Sequence, residues 1–208
     1  MSIYFAKNDP CYEWLHLVNS YNQYVGKSSV VLEIGASTPT RTSVLSEKCG
    51  KLYGVELMPE RLPENFNNVQ YLEGDWEKLS DTFESNYFDV IISNHVIEHV
   101  PDDQKAMEEL YKTLKPNGVA LFNTPNRKRL TRAVIEVFKG ERKFPFWEHQ
   151  REYIESDLVN LLEKSPFEKY KIFPVVFGLT GGPVHIYRKN APGLFRKYAA
   201  SWEIHLFK

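Results

Sequence analysis

The chain has 208 residues, 42% apolar and 25% charged, the make-up of a folded domain with its own core rather than of a disordered chain. Its 26 basic and 27 acidic residues leave a net charge of −1, which argues against a nucleic-acid binder, and no run of about 18 apolar residues offers a membrane span. The start "MSIYFAKNDPCYEW" lacks a basic stretch followed by an apolar run and does not read as a signal peptide; Cys11 and Cys49 form no CxxC pattern, so reduced thiols in a cytoplasmic protein are expected, with one disulfide as the alternative.

Trp14, Leu17, Val18, Tyr21 and Val25 recur at helical spacing and predict an amphipathic helix within 12–25, a cap over the core or a site spanning 1–27. "SVVLEI" (29–34) is a short β-branched run, the pattern of a buried parallel strand. Ser37 or Thr38 can cap the next helix, with Pro39 at its first position. "KLYGVEL" (51–57), "VQYLEGD" (69–75) and "YFDVIISNHV" (87–96) predict further strands. A helix opened by Asp102 and Asp103 then carries Ala106, Leu110, Tyr111 and Leu114, and "KPNG" (115–118) stops it before a fifth strand, "GVALFNT" (118–124). A less regular stretch, 125–153, precedes a helix at about 155–164 and two late strands, "KYKIFPVV" (169–176) and "WEIHLFK" (202–208). The alternation of strand and helix argues for a doubly wound α/β sheet, and no linker divides the chain.

In such sheets ligands bind beyond the carboxyl ends of the strands. Those ends read Glu33-Ile34-Gly35, Glu56, Gly74-Asp75-Trp76 and Ser93-Asn94-His95. Acids at three of the four ends, with no lysine in the turn after the first strand, suit a ligand with an amine, a positive centre and sugar hydroxyls better than one with several phosphates. Glu56 lies 21 residues after Gly35, where a carboxylate can accept both hydroxyls of a ribose. Asp75 can accept from an exocyclic amine, with Trp76 beside a purine; a plain turn role is its other reading.

"VLEIGAS", "GVEL", "LEGDWEKL", "FDVIISNHVIEHVPD" and "LKPNGVALFNTPN" together resemble the successive motifs of class I S-adenosylmethionine-dependent methyltransferases. The likeness covers about residues 28–126, and "EHQREYIESDLVNLLEKSPF" resembles the later segment of members acting on small molecules, quinones or glycans. It implies a mostly parallel seven-stranded Rossmann-like sheet with an antiparallel last strand, and S-adenosylmethionine as cofactor. It further implies that Glu33, Gly35, Ala36 and Ser37 line the methionine moiety, that Glu56 holds the ribose and Leu57 packs on the adenine, that Asp75 and Trp76 bound the adenine, and that Asn94 and His95 form the floor beneath the sulfonium. Ser37 and Pro39 depart from the usual E-x-G-x-G-x-G loop; a ligand without phosphates tolerates that departure better than a pyrophosphate would.

His95, Glu98 and His99 stand at i, i+3 and i+4. His95 is the candidate base or acceptor-orienting group; a divalent-metal trio is a second reading, and loop-fixing hydrogen bonds by Glu98 and His99 a third. No metal is assigned. Residues 125–153 form the expected lid or acceptor-binding insertion. Arg127, Lys128, Arg129, Arg132, Lys139, Arg142 and Lys143 make it basic, which reads either as a solvated helix or as a docking face for an anionic acceptor or a membrane surface. By resemblance "FPFWEHQREY" (144–153) faces the acceptor, with His149, Arg151 and Tyr153 as its binding residues; "FGLTGGPVH" (177–185) is expected as a loop on the same rim. The expected activity is methyl transfer to a small-molecule or glycan acceptor, oxygen rather than nitrogen; a non-catalytic binding module with an altered cofactor loop is the alternative.

Overall fold

The computed structural model describes residues 3–4, 12–139, 148–179, 185–190 and 193–208. Five strands run parallel: β2 (Val30–Ile34), β3 (Lys51–Glu56), β4 (Val69–Glu73), β5 (Phe88–Asn94) and β6 (Leu114–Pro125). β9 (Ser201–Phe207) lies antiparallel between β6 and β7 (Lys169–Leu179). These are the seven expected strands, with the last one antiparallel. Two more extend the sheet, β8 (His185–Asn190) and the two-residue β1 (Ile3–Tyr4), giving the order β1-β8-β7-β9-β6-β5-β2-β3-β4. β7 runs on to Leu179 and β8 starts at His185, so strands hold both ends of what the sequence suggested was a loop; Gly181 and Gly182 lie outside the described residues, as does Cys11. Cys49 is buried as a free thiol.

β2, β3, β5 and β6 are largely apolar on both sides because helices cover both faces, while the edge strand β4 carries a half-buried Gln70 and an exposed Glu73. Val31, Val90, Ile92 and Leu121 pack beneath Trp14, Leu17, Val18 and Tyr21 of α1 (Tyr12–Tyr21), with α2 (Pro39–Ser46) beside them. On the opposite face Leu32, Ile91, Ala120 and Phe122 pack against α4 (Asp103–Thr113) and α6 (Glu155–Glu163). Asp102 caps α4 by accepting the Lys105 N–H (3.0 Å), and Asp157 caps α6 by accepting the Ile154 N–H (3.1 Å). α3 (Leu79–Thr82) and α5 (Leu130–Lys139) are the other α-helices among the described residues. The fifth parallel strand starts at Leu114, earlier than expected. "KPNG" folds as an irregular entry into β6, with Asn117 left-handed (φ 65) and the pairing to β5 shifting between Phe88 and Val90.

α1 is fastened to the sheet by a buried carboxylate. Glu203 in β9 accepts from Ser20 (2.5 Å), His16 Nδ1 (2.7 Å) and His205 Nε2 (2.8 Å). Burial alone would raise the Glu203 carboxyl, but the hydrogen bonds from His16 and His205 pull it down to about 2. The same contact lifts His16 above its ordinary value, against the smaller opposing effect of burial.

A carboxylate at about 2 in the fold and 4.5 when unfolded contributes stability present above pH 4.5 and lost as pH falls towards 2, on the order of 3 kcal/mol. From the His16 side the same interaction weakens as pH rises through that group's elevated pKa. The melting-temperature gap between wild type and Glu203→Gln should therefore be widest near pH 6 and close towards pH 2; a gap that does not vary with pH would refute this fastening.

Candidate functional site

A cavity of about 670 Å³ opens beyond the carboxyl ends of β2, β3, β4 and β5. Glu33, Gly35 and Ser37 reach it from β2 and its turn, Glu56 and Leu57 from β3, Asp75 and Trp76 after β4, and Asn94 and His95 after β5. Of the cofactor residues the sequence suggested, only Ala36 is not brought to the wall. Its side chain is fully buried against Gly54, and its N–H donates to the Val55 carbonyl (3.1 Å). Gly35 is left-handed (φ +80), and a Cβ there would lie 2.5 Å from Val96 Cγ2. The first glycine of the loop is therefore sterically required, while Ser37 and Thr38 take cavity-lining places with their side chains present.

Glu33 is the electrostatic centre of this end. It is buried, one carboxylate oxygen has no hydrogen-bond partner, and desolvation pushes its pKa up to about 7 against the opposing effects of Thr42 and Arg41. Asn94 likewise presents a buried Oδ1 without a partner. Glu56 accepts the Met58 N–H (3.3 Å), while Leu57 is 61% exposed at the rim. Asp75 caps a short turn by accepting the Glu77 N–H (2.9 Å) and also lines the cavity. Trp76 is mostly core; its indole N–H donates to the Ala106 carbonyl (3.1 Å) and its ring stands edge-on to Phe122.

Trp14, read in the sequence as part of a helix capping the core or a site, lines the cavity, with the guanidinium of Arg41, a wall residue that escaped sequence reading, over its ring, 5.5 Å from the centroid. Arg41 lies four residues after Ser37 at the start of α2, a spacing that could have indicated a shared face.

His95 also lines a second space of about 410 Å³, bounded by Glu13, Glu98, Arg129 and His149 among others. Its backbone is left-handed (φ 56), and its N–H donates to Asn123 Oδ1 (3.1 Å). Burial would depress the imidazole, but the Glu98 carboxylate (3.4 Å) and Glu13 outweigh it, so its pKa stands above the ordinary value. His149 reaches this second cavity; Arg151 and Tyr153 reach neither. Arg151 pairs with Asp103 (2.7 Å), and the buried Tyr153 hydroxyl donates to the same Asp103 (2.9 Å), so both residues clamp their segment onto α4. Within the basic stretch Arg129 (2.8 Å) and Arg132 (2.6 Å) turn inward onto the buried carboxylate of Glu152, while Arg127 and Lys128 are exposed. Arg142 and Lys143 lie outside the described residues.

Residues 5–172 match the family described as a methyltransferase domain. The chain belongs to this family. It is 26% identical over 179 residues to the ubiquinone biosynthesis O-methyltransferase of Erwinia tasmaniensis, covering 81% of this chain and 72% of that one. It is 34% identical over 97 residues to the arsenite methyltransferase of Mus musculus, covering 46% of this chain and 26% of that one. The crystal structure of a SAM-dependent methyltransferase from Archaeoglobus fulgidus superposes with a TM-score of 0.67 at 16% identity, covering 94% of each chain, a likeness of fold.

The enzyme is an S-adenosylmethionine-dependent methyltransferase. Its cavity fits that cofactor on its own terms. An unpartnered buried carboxylate oxygen suits a cationic group, and Gly35 lines the cavity with backbone alone. Among the described residues, no helix is long and apolar enough to cross a membrane.

Glu33 carries a measurable penalty. Its folded pKa of about 7 lies above the unfolded 4.5, so its charge destabilises the fold above pH 7, by about 3 kcal/mol, and has no effect well below 4.5. Without cofactor, Glu33→Gln should melt above wild type near pH 8 and level with it near pH 4; equal melting at both would show that Glu33 is not desolvated.

Proposed function

We propose that this methyltransferase acts on a hydroxyl oxygen of a small-molecule or glycan-type acceptor, with His95 as the general base. The carrying observation is the position of His95 on the wall common to both cavities. Glu33 and Arg41 would hold the ammonium and carboxylate of the cofactor's amino acid, Glu56 its ribose, Asp75 and Leu57 its purine, and Asn94 would close the floor. Bound there, S-adenosylmethionine supplies a methyl group on a sulfonium, ready for direct displacement.

The chain's own part is alignment, exclusion of water and a place for one proton. Trp14 on α1 and Glu148 with Gln150 on the other rim narrow the mouth. Within the 1–27 segment α1 therefore serves as a cap, and Pro125, Arg129 and His149 of the 125–153 segment bound the second cavity on the acceptor side. His95 takes the acceptor proton, and the Glu98 carboxylate stabilises the resulting imidazolium. A histidine lifted above its ordinary pKa is the stronger base, but it is neutral only at higher pH. The acid limb of turnover should accordingly lie above the ordinary histidine value of 6.5. The ubiquinone-biosynthesis relative, named as an O-methyltransferase, supports the oxygen acceptor.

Calorimetry separates the parts of the cofactor reading. Arg41→Ala should weaken S-adenosylhomocysteine about 10- to 100-fold, the loss of one charged hydrogen bond, and leave 5′-methylthioadenosine unaffected, because that molecule has no carboxylate. Equal losses for both ligands would remove Arg41 from this role. With labelled cofactor and a panel of phenols, sugars and amines, hydroxyl compounds should be methylated and His95→Ala should lower turnover by about 10²- to 10⁴-fold. Methylation of amines alone, or an unimpaired His95→Ala, would refute the oxygen-acceptor mechanism.

A further inference from the structure

The second cavity gathers Glu98, His99 and His149, of which methyl transfer as described uses only the Glu98 oxygen facing His95 and a wall position of His149. One ligand atom each from Glu98, His99 and His149 lies within 4.8 Å of the other two. The sequence spacing grouped His95 with Glu98 and His99; the fold instead brings in His149, fifty residues after His99 in the chain.

Each of the three is oriented by a partner behind it. Glu98 is fully buried. Its Oε2 accepts from the Thr124 hydroxyl (3.0 Å), while its buried Oε1 has no hydrogen bond, the His95 Nδ1 standing off at 3.4 Å. His99 Nδ1 donates to the Glu148 carbonyl (3.1 Å). His149 Nδ1 donates to the Glu152 carboxylate (3.1 Å), which Arg129 and Arg132 hold ionised from the other side, overriding the effect of burial. The two rings meet edge to face, with centroids 4.8 Å apart.

A ligating histidine characteristically has its other ring nitrogen held by a carboxylate or a backbone carbonyl, which fixes the ring and the tautomer. Both histidines have that support. Loop-fixing alone accounts for the Thr124 and Glu148 contacts, but not for a buried carboxylate oxygen whose nearest donor, His95 Nδ1, stands off at 3.4 Å while two further imidazoles gather beside it.

We propose that Glu98, His99 and His149 bind a divalent transition-metal ion. Two imidazoles and one carboxylate suit zinc, cobalt or manganese and suit calcium or magnesium poorly. Three protein ligands leave coordination positions open, and the site borders the second cavity, so the ion would take an oxygen donor from whatever occupies that space. The site needs neither bound cofactor nor a known acceptor.

The test uses the full chain, stripped with a chelator, and the metal alone. Cobalt(II) should bind at one ion per chain by equilibrium dialysis, with visible absorption bands that zinc abolishes. Manganese(II) at substoichiometric ratio should broaden the ring proton resonances of His99 and His149 well before those of His16 and His205, which lie together in the Glu203 cluster. His99→Ala and His149→Ala should each lower cobalt affinity by at least about ten-fold. Absence of stoichiometric cobalt uptake by the wild-type chain overturns the proposal, as does broadening that begins at His16 and His205. The manganese measurement needs no variant, so a substitution that fails to fold cannot obscure the result.

Discussion

All the parallel strands of this sheet end on one edge, and that edge is where burial outruns hydrogen bonding. Inside β2, β3, β5 and β6 the backbone satisfies itself and the side chains are apolar on both faces. At the carboxyl ends the ladder stops while burial continues, so Glu33 and Asn94 each retain a buried oxygen without a donor. Such atoms are costly to keep unless a ligand supplies what the protein withholds. The cavity, the left-handed turn at Gly35 and the cap α1 are all arranged around that imbalance.

The turn after β2 shows how the chain meets this need with fewer glycines. Gly35 cannot be replaced because a Cβ would meet Val96. The next positions of the loop need not be empty for a ligand without phosphates, and here they start a helix that delivers Arg41 to the same wall as Glu33. Opposite charges at one end of a pocket match the two ends of an amino acid. The altered motif thus adds a cation where most of the strand ends supply acids.

Much of this was legible in the sequence, for physical reasons. Parallel strands buried on both faces read as continuous apolar runs, so β2 to β6 could be placed, and strand order then put Glu33, Glu56, Asp75 and Asn94 on one edge. What could not be read depends on contacts between distant segments. Arg151 and Tyr153 looked like pocket residues because they follow an aromatic run, yet both are tied to Asp103. Arg129 and Arg132 looked like a basic surface until Glu152 appeared behind them. His149 joins His99 across about fifty residues, and no local spacing announces that meeting. Ala36 and Trp76 lie in the right motifs but give most or all of their side chains to the core.

The most direct test of the central imbalance counts protons during binding. S-adenosylhomocysteine should be titrated calorimetrically into the wild-type chain and into Glu33→Gln near pH 7, in two buffers of different ionisation enthalpy. A carboxyl with a pKa of about 7 is close to half protonated there and must ionise to receive an ammonium group. Wild type should release up to about half a proton per ligand bound and Glu33→Gln none. Tight binding with no proton released from wild type, or the same release from both, would contradict the account.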